Sequence, residues 1–295
     1  MALCKSAHPL VHPTIMSQKN SRPVAVVTGA SSGIGEEFAR QLASRGYDLV
    51  LVARRADRLA ALAERIRVTH EVECVPFGAD LANPEAREHL CSALAPERER
   101  IEVLVNNAGF GTHGFFNETD LDRELEMIDV NCAAPVHLTK RILPWMQERR
   151  RGYIVNVASL SAFTPGPVMA MYFATKAFLL SFSEALWEEC RDTGVVVTAL
   201  CPGPVRTEFQ GTAGLSPKAR SSGTAPVPVE EVVLGAIEGM LAGKRVIIPG
   251  YQARLAALLS RYSPRERMLK TVRRIQEERR NQSRPQATGH GPEEP

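Results

Sequence analysis

Seven short apolar runs, most of them followed by a longer segment of helical period, constrain this chain more than any other feature. The runs cover residues 24–27, 49–52, 74–77, 101–105, 153–157, 195–200 and 246–248. Segments of helical period lie between them at 36–45, 58–67, 122–150 and 177–191. Runs that are apolar on both faces suit strands covered by helices on each side. Regular alternation of strand and helix implies parallel strands joined by right-handed crossovers. The expected fold class is α/β, a doubly wound parallel sheet in a single domain over residues 22–250.

The ends of the chain break this pattern. Residues 1–21 read as a flexible extension without the continuous apolar stretch of a signal peptide, and Met16 is an alternative start. Residues 209–228 are rich in Gly, Ser, Thr and Pro and read as a long mobile loop. Residues 251–281 form a basic amphipathic helical extension that opens with Leu255, Leu258 and Leu259, and 282–295 is a disordered-like tail. Over residues 251–284 there are ten Lys/Arg and three acids, a net of +7, against +3 for the whole chain. Such a helix can lie on an anionic membrane, pack on a neighbouring subunit or stand in solvent.

Composition narrows the class. With 44% hydrophobic and 23% charged residues, the chain is not globally disordered. The small net charge does not suggest wholesale nucleic-acid binding. No run approaches the roughly 18–20 apolar residues of a membrane span. The six cysteines are scattered and form no CxxC pair, so they read as buried apolar residues in a reducing, cytoplasmic setting. No histidine or cysteine has ligand spacing, and no metal is expected.

The first run leads into Thr28-Gly29-Ala30-Ser31-Ser32-Gly33-Ile34-Gly35 and then into a helix. Three glycines let the backbone turn tightly and approach a pyrophosphate, whose charge is favoured at the helix N-terminus. Taken alone, the same turn is also compatible with no ligand. The second run ends Ala53-Arg54-Arg55, where an NAD-binding chain usually carries a carboxylate for the ribose 2′-hydroxyl. Arginines suit a 2′-phosphate, so NADP(H) is expected over NAD(H), with Arg54 placed first and Arg55 assisting. A solvated charge pair is the alternative. Asp80, followed by Leu81, either accepts from an adenine amino group or caps the helix entered at Pro84. The small residues of Asn106-Asn107-Ala108-Gly109 permit close backbone approach to a cofactor.

These residues and several downstream resemble the short-chain dehydrogenase/reductase family. Thr28–Gly35 is similar to its TGxxxGxG, and Asn106 to Gly109 to its NNAG. Asn131 is similar to its mid-helix Asn, Ser159 to its Ser, and Tyr172-Phe173-Ala174-Thr175-Lys176 to its YxxxK. Cys201-Pro202-Gly203-Pro204-Val205-Arg206-Thr207 resembles its PGxVxT. The resemblance spans about residues 22–208 and implies a Rossmann-like fold and a homodimer or homotetramer joined through helices at 122–150 and 172–191. It implies a cofactor site that includes Pro202, Gly203, Val205 and Thr207, with Thr207 and the backbone near Val205 on the carboxamide. It also implies that Lys176 holds the nicotinamide ribose and that Asn131 holds a water linking Lys176 to solvent.

The chemistry of the residues agrees. Tyr172 and Lys176 are four apart and share one helix face. A free phenol titrates near about 10, and a nearby ammonium together with the nicotinamide's positive charge is expected to lower that value. Tyr172 can then give a proton to a carbonyl oxygen or take one from an alcohol. Ser159, after the fifth strand run, can polarise the same carbonyl. Asn131 could alternatively brace a bend in a long helix.

Around this centre, Leu160, Phe163, Pro165, Val168, Met169 and Met171 on one side, and Phe110, His113, Phe115 and Phe116 on the other, suggest an apolar substrate. The loop at 209–228 is expected to be a lid over it. The Val246-Ile247-Ile248-Pro249-Gly250 stretch and basic tail resemble family members that act on lipid-like β-oxo compounds, and the family also includes hydroxysteroid-type enzymes. The expected function is NADP(H)-dependent hydride transfer to a bulky apolar carbonyl or from a secondary alcohol. An NADP(H)-binding sensor with little turnover and a membrane-anchor module are the rival readings.

Overall fold

The computed structural model describes residues 21–205, 207–212 and 226–283. Its seven strands are β1 (Val24–Thr28), β2 (Asp48–Ala53), β3 (Cys74–Gly78), β4 (Ile101–Asn106), β5 (Gly152–Val157), β6 (Val195–Leu200) and β7 (Val246–Ile247). They form one sheet in the order β3-β2-β1-β4-β5-β6-β7, and every neighbouring pair is parallel. This is the doubly wound, Rossmann-like α/β fold expected from the alternation of runs.

Helices cover both faces. On one side, α1 (Gly33–Ala43), α2 (Ala56–His70) and α8 (Val229–Leu241) pack Phe38, Leu42, Leu59, Leu62 and Val232 against the odd-numbered positions of β1, such as Ala25 and Val27. On the other, α3 (Pro84–Leu94), α5 (Ala134–Glu148) and α6 (Ala170–Glu189) pack Leu90, Leu138, Ile142 and Trp187 against Val24 and Val26. Successive residues of one strand therefore feed two separate cores, which is why the runs are apolar throughout.

The helical segment at 122–150 is not one regular helix. It divides into α4 (Leu121–Ile128), a π-helical turn (Asp129–Ala133) and α5. Such turns put one extra residue into a helix and re-aim the side chains around it. Beyond β6, a single turn α7 (Phe209–Thr212) follows, and most of the expected lid at 209–228 lies outside the described residues. The extension consists of two helices, α9 (Tyr251–Tyr262) and α10 (Arg265–Ser283), separated at Ser263 and Pro264. Met16, Cys4, most of the N-terminal extension and most of the C-terminal tail also lie outside the described residues.

Among the described residues, no helix is long and apolar enough to cross a membrane, and no group of three or more His, Cys, Asp or Glu is placed to hold a metal ion. Cys74, Cys91, Cys190 and Cys201 are buried free thiols, and Cys132 is partly buried.

Candidate active site

β1 and β4 are neighbours, yet the chain leaves them toward opposite edges of the sheet. The crevice beyond their carboxyl ends is where such folds hold ligands. Thr28 ties the two strands together there. Its Oγ1 donates to Val105 O (3.1 Å) and accepts from the N–H groups of Asn107 (2.9 Å) and Ala108 (3.0 Å). Asn107 Nδ2 donates to Thr28 O (2.8 Å) and Gly29 O (3.2 Å).

The turn after β1 has room only for glycine. Gly29 has φ +64°, and a Cβ on it would stand 2.8 Å from Ala108 Cα. A Cβ on Gly35 would stand 2.4 Å from both Gly29 O and Asn107 Nδ2. Close backbone packing thus leaves an open cradle at the start of α1, and a dinucleotide pyrophosphate fits such a cradle.

The arginines beside this turn divide their tasks. Arg55 Nη2 donates to Ser31 Oγ and Ser32 Oγ, both at 2.9 Å, and its Nη1 pairs with Glu208 Oε2 at 2.9 Å. Arg54 turns away and pairs with Glu126 on α4 at 2.8 Å. Arg55, ranked second from the sequence, therefore holds the position beside the glycine turn. Arg58, in the first turn of α2, shares Glu208 with Arg55 at 2.8 Å, and these contacts hold the Glu208 carboxyl below its ordinary range. Sequence reading missed Arg58 and Glu208, although Arg58 lies three residues after Arg55 and so on the same side of α2.

Asp80 does not cap α3. The cap is Asn83, whose Oδ1 accepts from Glu85 N (2.7 Å) and Ala86 N (3.3 Å). With Pro84 at the first helical position, the residue immediately before it is the N-cap. Asp80 Oδ1 instead accepts from Ala82 N at 3.1 Å, and Asp80 lines the ligand cavity.

At the other end of the crevice, Ser159 follows β5 and accepts from Ser161 N at 3.1 Å. Tyr172 lies buried on α6, with the Phe209 ring 5.3 Å from its own. Lys176, one turn later, sits 5.9 Å from the Tyr172 ring centroid and donates from Nζ to Val157 O at 2.8 Å. Burial pushes the Tyr172 phenol up to about 12, while the Ser159 hydroxyl beside it pulls the other way. The expected lowering counted the nicotinamide's positive charge as well as the ammonium; burial in the protein itself acts in the opposite direction. Lys176 Nζ is committed to a backbone carbonyl, and in the protein alone burial outweighs its charge. Burial also holds the Lys176 amine down to about 8. Near neutrality the phenol is therefore protonated and the amine mostly charged.

Asn131 lies in the π-helical turn and braces the bend. Its Nδ2 donates to Phe110 O (2.9 Å) and Thr175 Oγ1 (3.0 Å), and its Oδ1 accepts from Phe110 N (3.1 Å). The turn thus joins the Asn106–Gly109 segment to the helix that carries Tyr172.

One cavity of about 810 Å³ joins the two ends. Of the residues singled out from the sequence for cofactor and catalysis, all line it except Gly35 and Asn131, which pack behind its wall. Phe110, Leu160, Phe163 and Met169 line it as expected. Pro165, Val168, Met171, His113, Phe115 and Phe116 do not line it. Phe115 lies under Arg280 of α10, 4.6 Å from the guanidinium, and Phe116 is exposed. The wall that the sequence reading missed comes from α9 and α10, including Leu259, Met268, Val272, Ile275 and Gln276. The apolar spacing of Met268, Val272 and Ile275 in a highly charged stretch was the signal for it.

The family model described as short chain dehydrogenase matches residues 23–217. The chain belongs to the short-chain dehydrogenase family. Members of this family are oxidoreductases acting on CH–OH and C=O groups. The chain is 39% identical over 177 residues to a very-long-chain 3-oxoacyl-CoA reductase of Coprinopsis cinerea, an alignment covering 59% of this chain and 52% of that protein. It therefore spans only about half of that relative.

A solved short-chain dehydrogenase of Sphingobium yanoikuyae, in complex with NADPH, is 37% identical with a TM-score of 0.73, covering 80% of this chain and 92% of the other. One from Burkholderia phymatum, in complex with NAD, is 25% identical with a TM-score of 0.71, covering 81% and 92%. The short-chain dehydrogenase's cofactor is a nicotinamide dinucleotide, and α8, α9 and α10 lie beyond the matched region.

Proposed function

We propose that this short-chain dehydrogenase reduces bulky, apolar, lipid-like carbonyls with NADP(H), with Tyr172 as the proton donor. The observation that carries the reading is a buried phenol, protonated at neutral pH, facing Ser159 in the same cavity as the glycine cradle. The dihydronicotinamide, when bound, supplies the hydride. Tyr172 gives its proton to the carbonyl oxygen, and the Ser159 hydroxyl hydrogen-bonds the same oxygen. Lys176 holds the ribose and, while charged, favours the phenolate left behind. Asn131, in the π-helical turn, holds the water that returns a proton by way of Lys176.

Arg55 and Arg58 support the choice of NADP(H), since a 2′-phosphate can replace the Glu208 carboxylate between them. The named activity of the Coprinopsis relative and the apolar cavity wall support a lipid-like substrate. Leu121, Leu125 and Ile128 on α4, Val136 on α5 and Phe178 on α6 are exposed apolar side chains, and they support a homodimer or homotetramer through these helices.

On α9, Tyr251, Leu255, Leu258, Leu259 and Tyr262 form one exposed stripe, while the small Ala253 and Ala257 face inward. Arg254, Arg261 and Arg265 accompany it, so this face suits peripheral contact with an anionic lipid surface on the cytoplasmic side. Sedimentation with vesicles tests it. Binding is expected to anionic vesicles and not to neutral ones, and to be lost in Leu255→Gln/Leu258→Gln. Equal behaviour of the two vesicle types rejects the lipid contact.

The catalytic reading is tested by following NADPH absorbance with a ketone panel from steroids to β-oxoacyl esters. Tyr172→Phe is expected to lower kcat/KM by about 100-fold or more while cofactor binding persists. Cofactor binding with no turnover of any ketone by the unaltered protein would favour the sensor reading instead.

A further inference from the structure

α9 belongs to two surfaces at once. Tyr251, Leu255, Leu258, Leu259 and Tyr262 form its outward stripe, while Ala256, Ala257, Leu259 and Ser260 line the cavity. Leu259 is in both sets, 55% exposed and yet part of the cavity wall. With about 100° of turn per residue, Leu259 stands at one edge of the stripe, and Ala256 and Ser260 follow about 60° and 100° further round. The exposed Arg254 and Arg261 fall at the other edge.

α10 adds Met268, Val272 and Ile275 to the same cavity, and it is anchored. Val272 packs with the cluster that contains Tyr172, Phe110 and Met169, and Arg280 pairs with Glu118 at 2.7 Å. An apolar surface therefore leads from the outside of α9, over Leu259 and Ala256, to the cavity that Tyr172 lines. A continuous exposed apolar patch marks contact with a partner or a membrane, and arginines along its edge favour an anionic lipid surface.

We propose that the cavity opens on the lipid-contact face of α9, so that an apolar ketone passes from an anionic bilayer over Leu259 to Tyr172 without crossing water. Each methylene moved from lipid into water shifts partitioning about fourfold against it, so a long-chain ketone is scarce in solution and concentrated in the bilayer. With the stripe among the acyl chains and the arginines among the headgroups, the edge that carries Leu259 meets the layer where such a ketone is dissolved. The route rests on the lipid contact and the lipid-like substrate read above, and it adds to them the place and direction of entry.

The test uses the whole protein with NADP⁺, in which no ketone can be reduced, and a long-chain methyl ketone tagged with pyrene and carried in vesicles. Excimer emission falls as the probe leaves the bilayer for the protein, so uptake is read without turnover. Pickup at the surface makes the transfer rate rise with protein concentration, and the rate is expected to be about 10-fold or more higher from anionic than from neutral vesicles. Passage through water makes the rate that of desorption, independent of protein concentration. The same probe delivered on cyclodextrin reports whether the cavity is intact in each variant.

Leu255→Gln/Leu258→Gln is expected to bring the anionic rate down to the neutral one. Leu259→Arg separates the route from the attachment: it adds a charge that strengthens vesicle binding but stands on the path, and it is expected to slow transfer several-fold. Faster transfer in Leu259→Arg overturns the proposal. So does a rate independent of protein concentration while the protein sediments with anionic vesicles, a result that leaves the lipid contact standing. Failure to sediment with either vesicle removes the contact and the route together. A probe that enters from neither vesicles nor cyclodextrin removes the lipid-like substrate, and the route with it.

Discussion

The two ends of the cavity are built from different materials. At the cofactor end, backbone does the work: the Gly29 and Gly35 positions are so crowded that a single added carbon would stand within 2.8 Å of a neighbour. At the substrate end, side chains on α9 and α10 form the wall, held by an ion pair and a cation–π contact that contribute little individually. A dinucleotide presents the same pyrophosphate every time, so a rigid cradle suits it. Ketones differ, and helices outside the family match can carry a different set of side chains without disturbing the sheet. The comparison suggests that recognition of the shared ligand is placed in main chain, and recognition of the particular one in exchangeable side chains.

The most disruptive way to test that contrast is Gly35→Ala. Its methyl would collide with Gly29 O and Asn107 Nδ2, so a loss of about 3 kcal/mol is expected by urea unfolding, together with cofactor affinity. If stability is unchanged, the cradle is looser than its distances imply.

Next in size is the pair Arg55→Met/Arg58→Met. Removing charge-assisted contacts of about 1.5–3 kcal/mol is expected to raise KM for NADPH by roughly 10-fold or more and leave KM for NADH nearly unchanged. An equal rise for both cofactors contradicts the 2′-phosphate assignment. A smaller counterpart is Glu208→Gln. This carboxylate pairs with both arginines and would compete with a phosphate there, so its loss is expected to lower KM for NADPH modestly.

The smallest effect concerns pH. A lysine whose amine is held down to about 8 is charged below that value and neutral above it. The cation that favours the phenolate left after proton transfer is therefore present at pH 6–7 and lost as pH rises through about 8. Reductive kcat/KM is expected to be level below pH 8 and to fall by a few-fold above it. A profile that instead rises through pH 8 assigns the titration to another group.

Most of the fold was legible in the sequence because its cause is local and repeated. Each strand run is apolar on both faces, and only a sheet between two helical layers buries such a run. Alternation also implied parallel strands with right-handed crossovers, whereas the order β3-β2-β1-β4-β5-β6-β7 came from the structure. Ser159, Tyr172 and Lys176 were legible as a set because their motifs resemble those of the short-chain dehydrogenase/reductase family, and all three line one cavity.

Other features depended on distances along the chain that no local pattern encodes. Arg55 rather than Arg54 stands beside the glycine turn, and Arg54 instead meets Glu126, 72 positions along the chain. Burial raises the Tyr172 phenol, and residues brought from elsewhere in the chain, Phe209 among them, pack against it.

The sequence alone determined the class of sheet and the motifs that carry Gly29, Ser159, Tyr172 and Lys176, because periodicity and side-chain type are written residue by residue. Only the tertiary structure decided that α9 and α10 line the substrate end of the cavity. That placement brings Arg280 to Glu118 across 162 positions, a contact that exists only once the chain has folded.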